Sequence, residues 1–340
     1  MSQVNIDDLR MTSLDTRQQL IIHWIENDLG YTNYSLEPAS ADASFRRYFR
    51  LEDKINGDSK IIMDSPPEKE DSHPFIRIAG SLDEIGLNVP KIYAQNFEQG
   101  FFLLSDLGSI DYLSEINDSN ADKLYQDAIQ TLLRLQSNNG LLLPAYDAAL
   151  LNQEMKLFID WYLIKHIQLE LSESQTNMLE MAFALLVKSA LAQPQVPVHR
   201  DYHSRNLMVM PAMNPGVLDF QDAVEGPITY DLVSLLRDCY VAWPAEKVAQ
   251  WLKHYHALAT DKGLLQQINY QQFEVWFDLM GLQRHLKAIG IFSRLNYRDG
   301  KAGYLKDIPR TVAYVASVSE KYPELQEFNQ FINGIVLNRG

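Results

Sequence analysis

A single cysteine, Cys239, stands among 340 residues, which excludes an intrachain disulfide framework and a cysteine-rich zinc site. The run Leu232 to Asp238 before it has helical apolar spacing, so Cys239 reads as a packed core thiol, compatible with a reducing compartment. Long apolar runs are also missing: the longest, such as Met181 to Val187, fall far short of the roughly 18 residues that a membrane span needs. Positive charge is in deficit, with 30 Lys and Arg against 44 Asp and Glu and a net charge of −14, so neither nucleic acid nor an anionic membrane is an expected partner. Met1 to Asp8 has no basic stretch followed by an apolar one, so no signal peptide is expected and the cytoplasm is the expected compartment. No Gly/Ser/Pro-rich or single-sign run interrupts a chain that is 46% hydrophobic and 22% charged. It should therefore be folded nearly throughout, and its length exceeds what one hydrophobic core usually spans, so two lobes are expected. Oligomeric state cannot be read from these features.

What is present is concentrated between His199 and Asp231. His199-Arg200-Asp201 followed by Asn206 matches H-R-D-x-x-x-x-N, the loop in which a carboxylate stands beside an attacking hydroxyl and an amide oxygen serves magnesium. Asp201 is the base candidate and Asn206 a metal ligand. Asp219 follows 18 positions after Asp201, at the end of the short apolar run Gly216-Val217-Leu218. Leu207 to Met210, a Pro/Asn/Gly turn from Pro211 to Gly216, and Val217-Leu218 predict a two-stranded ribbon that brings Asn206 and Asp219 to one end. Asp219 is then the second metal ligand. His199 reads as a buried, hydrogen-bonded member of the loop, while His254 and His256 show no metal-ligand pairing, so no zinc is expected.

These residues resemble the aminoglycoside phosphotransferase and choline kinase branch of the protein-kinase-like fold. Ala43-Ser44-Phe45-Arg46-Arg47-Tyr48-Phe49-Arg50, Met63-Asp64-Ser65-Pro66-Pro67 and Leu218-Asp219-Phe220-Gln221-Asp222-Ala223 are similar to the bacterial anomeric N-acetylmuramate/N-acetylglucosamine kinases. The resemblance runs from about Leu36 to Arg310. It implies an α+β, bilobal kinase-like fold, with a nucleotide-binding lobe and leading helix over 1–107 and a mostly helical catalytic and substrate-binding lobe over 108–340. It also implies ATP and Mg2+ as cofactors, a small-molecule sugar as substrate, and a role in cell-wall recycling.

Within the first lobe, Leu20, Ile21, Trp24, Ile25 and Leu29 mark a helix capped by Asp15 and stopped by Gly30. Phe45 to Glu52, an Asn56-Gly57-Asp58 turn and Lys60 to Met63 predict a hairpin, and Val89 to Ala94 and Gly100 to Leu104 two further strands. The loop Ala39 to Ser44 would offer backbone N–H groups to phosphates, with Ser44 as a nucleotide-binding candidate, but it has no glycine. The lysine that kinases place at the end of the next strand is absent too, for that run ends Ile61-Ile62-Met63. A neighbouring cation must replace it: Arg46, Arg47, Arg50 or Lys60. Strand alternation puts Arg46, Tyr48 and Arg50 on one face and Arg47 with Phe49 on the other, which favours Arg47. Glu68 or Glu70 could pair with the substitute. Leu104-Ser105-Asp106-Leu107-Gly108 would be the hinge, making Leu104 and Asp106 nucleotide-binding candidates.

Beyond Gly108 the pattern is helical, with apolar stripes at Leu124, Tyr125, Ala128, Ile129, Leu132 and Leu133, then Met155, Phe158, Ile159, Tyr162, Leu163 and Ile167, then Met178, Ala182, Leu185 and Leu186. After Asp219 no long segment intervenes, because Gly226-Pro227 arrives within eight residues and Asp231 soon after. A peptide platform has no room, so the acceptor is a small molecule. Gln283 to Lys287 and Phe292 to Lys301 form a basic, aromatic island suited to an acidic sugar, with Arg294, Tyr297 and Arg298 as acceptor-binding candidates. Two alternatives stay open: another alcohol such as an aminoglycoside or choline-like molecule, or a catalytically degenerate scaffold. The missing lysine and glycines motivate the scaffold; Asp201, Asn206 and Asp219 together oppose it.

Overall fold

A computed structural model describes residues 16–40 and 45–339 of the chain. The chain divides into two compact units. The first runs to Gly80 and resumes over Pro90–Ser109; the second takes Ser81–Val89 and everything from Ile110 on.

The first unit opens with α1 (Thr16–His23), which passes into a π-helical turn, Trp24–Asp28. Asp15, the expected cap, lies outside the described residues. Ile21, Trp24 and Ile25 are buried against Phe49, Leu51, Ile62, Phe101 and Leu103. This i, i+3, i+4 stripe is narrow, and Leu20 on its edge is exposed. The sheet has β1 (Tyr34–Ser40), β2 (Arg47–Asp53), β3 (Ser59–Asp64), β4 (Ile92–Asn96) and β5 (Phe101–Ser105) in the antiparallel order β1-β2-β3-β5-β4. Between β4 and β5, Gly100 has φ +74°, and a Cβ there would fall 1.9 Å from the Ser65 carbonyl oxygen, so only glycine lets the two backbones meet. Helix α2 (His73–Glu84) contributes buried Phe75, Ile78 and Ala79.

In the second unit, α3 (Tyr112–Glu115) precedes α4 (Ala121–Gln136), whose expected stripe from Leu124 to Leu133 is buried. Helix α5 (Ala148–Leu157) runs into a π-helical segment, Phe158–His166, which rotates the stripe so that Met155, Phe158, Tyr162 and Leu163 are buried while Ile159 and Ile167 are only half-buried. In α6 (Glu173–Leu191) the buried residues are Leu179, Ala182, Phe183, Leu186, Val187 and Ala190, so Met178 and Leu185 lie at the margin of a stripe expected to include them. The ribbon β6 (Gln195–Val198) with β9 (Val224–Pro227) flanks the short ribbon β7 (Leu207–Met208) with β8 (Gly216–Val217). Then come α7 (Tyr230–Leu236), α8 (Ala245–Asp261) and the 30-residue α9 (Tyr270–Asp299). Cys239 lies just past α7 and is buried, as expected of a core thiol.

Helix α9 is the axis of this unit. It packs against α5, the π-helical segment, α6, α7 and α10 (Ile308–Ser319); a final helix, α11 (Gln326–Arg339), follows. Its Gly290 permits a close backbone approach to the end of α5, because a Cβ there would lie 2.3 Å from the Leu157 carbonyl carbon. No helix among the described residues is long and apolar enough to cross a membrane.

Candidate active site

The loop after β6 is tied down before it reaches Asp201. The His199 ring is buried; its Nε2 donates to the Leu218 carbonyl at 2.9 Å, and its Nδ1 accepts from the Asp201 amide at 3.2 Å. That bonding uses the neutral imidazole, and burial pushes its pKa down to about 4. His199 is thus a structural member of the loop, as its position in the motif suggests. The His199 and Arg200 amides donate to the two oxygens of Asp231 at 2.6 and 3.0 Å. Asp231 is buried in the first turn of α7, and burial lifts its carboxyl to about 7 although both amides favour the anion. The sequence marked Asp231 only as the acid that ends the motif region; its role as the clamp of the loop emerges from the fold.

Arg200 adopts φ +77°, a left-handed conformation that non-glycine residues rarely hold and that costs about 1–3 kcal/mol. Its guanidinium secures it, with Nη2 donating to Glu154 Oε1 at 2.6 Å and Nη1 to the Asp222 carbonyl at 3.3 Å. Asp201 follows immediately. Its carbonyl accepts from the His203 amide at 3.0 Å and from Asn206 Nδ2 at 3.0 Å. Its half-buried carboxylate takes no hydrogen bond from the described residues and so can accept one from an incoming hydroxyl. Burial alone would raise that carboxyl, but Lys287 and Arg284 hold it down at about 2, ionised at neutral pH.

Behind Asp201 lies a buried polar cluster that sequence reasoning missed. Glu154 accepts from Arg200, from Lys287 at 3.2 Å, from Gln283 at 3.1 Å and from the Tyr146 hydroxyl, while Lys287 donates to the Tyr230 hydroxyl at 3.0 Å. Burial opposes its charge, yet Lys287 and Arg200 keep its carboxyl below the usual range. One signal was available: Glu154 interrupts the otherwise apolar stripe of Leu151, Met155 and Phe158. The segment Gln283 to Lys287, part of the basic island expected to contribute to acceptor binding, is buried throughout, because α9 is enclosed by its neighbours there.

The ribbon brings the metal-ligand candidates together. Leu207 pairs with Val217, the Leu218 amide donates to the Asn206 carbonyl at 2.9 Å, and Asn206 Nδ2 reaches Asp219 Oδ2 at 3.2 Å. Asp219 has φ +64°, and Gln221 Nε2 donates to its Oδ1 at 2.7 Å. With its nitrogen used on Asp201 and Asp219, Asn206 has its Oδ1 left to serve a cation. Among the described residues no three His, Cys, Asp or Glu side chains gather as a metal cage. One carboxylate and one carboxamide are the sparse, hard-oxygen set that suits Mg2+ when phosphate oxygens complete the shell, so these residues fit it.

Of the acceptor candidates, Arg298 forks onto Asp299 at 2.8 and 3.0 Å and is exposed. Tyr297 is hydrogen bonded to His166 Nδ1 at 3.1 Å, near Lys165. Arg294 is half-buried, and burial and then Arg298 lower its pKa.

In the first unit, Ser44 lies outside the described residues. Strand β2 begins at Arg47, so Arg46 precedes it and escapes the alternation expected to fix its face. Arg46 is buried, pairs with Glu70 at 2.6 Å and covers the Phe75 ring. Arg47 donates to Asp64 Oδ2 through Nε at 2.8 Å and Nη2 at 2.6 Å, sharing that buried carboxylate with Arg17. Arg50 is forked onto Asp106 at 2.6 and 3.1 Å. Asp106 also accepts from Ser59 Oγ and the Gly108 amide, and against the effect of burial Arg50 first and then these two partners hold its carboxyl low. Its side chain is therefore engaged within the unit. Leu104 is buried in β5, paired with Ile61 and Ile92.

Residues 35–268 match the model of the phosphotransferase enzyme family. A protein of Pseudomonas putida named N-acetylmuramate/N-acetylglucosamine kinase is 46% identical over 333 residues, covering 95% of this chain and 97% of its own. One of the same name from Pseudomonas aeruginosa is 47% identical over 299 residues, covering 87% of each chain. The fold is similar to that of the ADP-bound aminoglycoside phosphotransferase APH(2'')-Ib, with a TM-score of 0.57, 17% identity, and coverage of 90% of this chain and 99% of that one. The protein is therefore an enzyme with a small sheet unit and a mostly helical unit of the protein-kinase-like kind, and the chain belongs to the phosphotransferase enzyme family.

Proposed function

We propose that this enzyme is an ATP-dependent kinase that phosphorylates the anomeric hydroxyl of N-acetylmuramate and N-acetylglucosamine, in the cytoplasm and in the service of cell-wall recycling. The observation that carries the substrate is the pair of relatives bearing that name at 46% and 47% identity, over 95% and 87% of this chain. Kinase chemistry has independent support in the Asp201, Asn206 and Asp219 arrangement.

In this reading the ionised Asp201 accepts a hydrogen bond from the anomeric hydroxyl and aligns its oxygen on the γ-phosphorus. As the new oxygen–phosphorus bond forms and the bond to the β-phosphate bridge breaks, the hydroxyl proton passes to Asp201 and ADP leaves. Asn206 Oδ1 and Asp219 would hold Mg2+, which neutralises phosphate charge when bound. Ser44, Arg46, Arg47, Leu104 and Asp106 are proposed to border the nucleotide. Arg46, with its Glu70 pair, is the substitute for the missing lysine that the ion pairs favour. Arg294, Tyr297 and Arg298 are proposed to border the acceptor.

The test is a panel of N-acetylmuramate, N-acetylglucosamine, aminoglycosides and choline, assayed with the purified chain for ATP consumption and for an acid-labile sugar 1-phosphate. Both sugars should be consumed. Turnover of choline or an aminoglycoside with neither sugar accepted would overturn the reading.

A further inference from the structure

Arg205, an exposed residue, stands between the base candidate Asp201 and the metal-ligand candidate Asn206, and its guanidinium lies over two rings without forming an ion pair among the described residues. Its guanidinium carbon lies 4.8 Å from the centre of the Tyr240 ring and 5.6 Å from that of Tyr304, and both phenols raise its pKa against the effect of burial. Asp307, which senses Arg205, stands 3.6 Å from Arg310.

The surroundings are built to hold that arginine in place. Asp238 Oδ2 accepts from the Ser204 amide at 2.9 Å and the Ser204 hydroxyl at 2.5 Å, while its Oδ1 accepts from the Tyr240 amide at 2.8 Å. One buried carboxylate thus joins the catalytic loop to the segment bearing Tyr240. Phe292 stacks on Tyr304 at 5.8 Å and 19°, and also approaches Tyr240. The two phenols also draw on its N–H groups, yet a guanidinium has several donors and keeps others for a planar anion, and a side chain partly held by rings loses less freedom on binding.

We propose that Arg205 is the receptor for the carboxylate of an acidic acceptor, and so the residue that distinguishes N-acetylmuramate from N-acetylglucosamine. This rests on the sugar-kinase reading above. In a pyranose the carboxylate of a 3-lactyl group lies several ångströms from the anomeric hydroxyl. Its cation must therefore belong to the region of Asp201 without pairing with it, and Arg205 lies four positions on in the loop that Asp231 and Asp238 tie down. Arg205 also turns away from the phosphate side: Asn206 beside it reaches Asp201 and Asp219, whereas Arg205 reaches the segment after α7 and the 3-10 helix after α9. Arg298 is a weaker candidate, being forked onto Asp299.

The test compares kcat/KM for the two sugars in the full-length enzyme and in R205A, R205K and R294A. R205A should lower the N-acetylmuramate to N-acetylglucosamine ratio at least tenfold, equivalent to ~1.4 kcal/mol, mainly through KM for N-acetylmuramate. R205K, which keeps charge but not the fork, should fall between it and wild type. An unchanged ratio in R205A overturns the proposal whatever the absolute rates, as does a loss of discrimination in R294A alone. If R205A does not fold, R205K decides, with an unchanged ratio counting against the proposal. Wild-type turnover of neither sugar overturns the sugar reading and this assignment with it; normal turnover with an unchanged ratio overturns this assignment alone.

Discussion

At Asp201 two opposed effects meet: burial, which disfavours the anion, and the cations Lys287 and Arg284, which win and keep it ionised. The carboxylate is therefore ready to take a hydroxyl proton over the whole neutral range. Asp201→Asn keeps the shape and removes the base, so kcat should fall at least ~100-fold, within the range for general base catalysis, with nucleotide affinity little changed. Asp219→Ala should instead abolish Mg2+-dependent nucleotide binding, since the metal is held before chemistry begins. Titration of a fluorescent nucleotide with and without Mg2+, beside single-turnover kinetics, separates the two. Unimpaired turnover in the first variant, or normal Mg2+-dependent binding in the second, contradicts the assigned role.

The element that matters most is α9, which passes Leu157 at backbone contact and carries Gln283, Arg284 and Lys287 into the region behind the catalytic loop. Gly290→Ala would introduce a Cβ 2.3 Å from the Leu157 carbonyl carbon and 2.6 Å from its oxygen, where only backbone can yield. The two helices must separate, and we expect a loss of about 3 kcal/mol or more, the upper end for overpacking. Urea unfolding measures it, and a change below about 1 kcal/mol would show that the close approach is not needed. Because Lys287 moves with the helix, kcat should fall as well.

Across the whole molecule, pH acts through imidazoles that the fold keeps neutral. His285 donates from Nε2 to the Arg237 carbonyl at 2.9 Å and stacks on Tyr314, and its buried Nδ1 has no acceptor for a second proton. Burial pushes its pKa down to about 3, and that of His199 to about 4. Below about pH 6.5 the unfolded chain takes up protons that the folded chain refuses, so stability is complete above that pH and declines as pH falls. Each such imidazole costs roughly 2 kcal/mol between pH 7 and pH 5. Asp231, raised to about 7, acts in the opposite direction, because its folded form binds a proton that the unfolded form releases. With His203 also lowered, the imidazoles outnumber it. Urea midpoints should fall from pH 7 to pH 5, and His285→Asn should lessen the decline; an equal slope in that variant would refute the account.

The chemistry of this chain was legible wherever a contact follows from linear spacing. Asn206 and Asp219 meet because a short hairpin joins them, and a hairpin is dictated by apolar runs and the turn between them. The capacity for a small acceptor followed in the same way, from the few residues separating Asp219 from Gly226-Pro227. Packing decided the rest. The partners of Arg46 and Arg47 could not be settled by alternation, because the strand starts two residues later than the Phe45 start the pattern suggests, and a pairing of Arg46 with Glu70 depends on how α2 is approached, not on spacing. Glu154, Arg200 and Lys287 come from three distant segments, and no local rule makes three separated charges share one buried site. The π-helical segment moved the stripe that a 3.6-residue period predicts. Whether a basic run on α9 faces water or the interior depends on how many elements enclose the helix, and a periodicity within the helix itself carries no record of its neighbours.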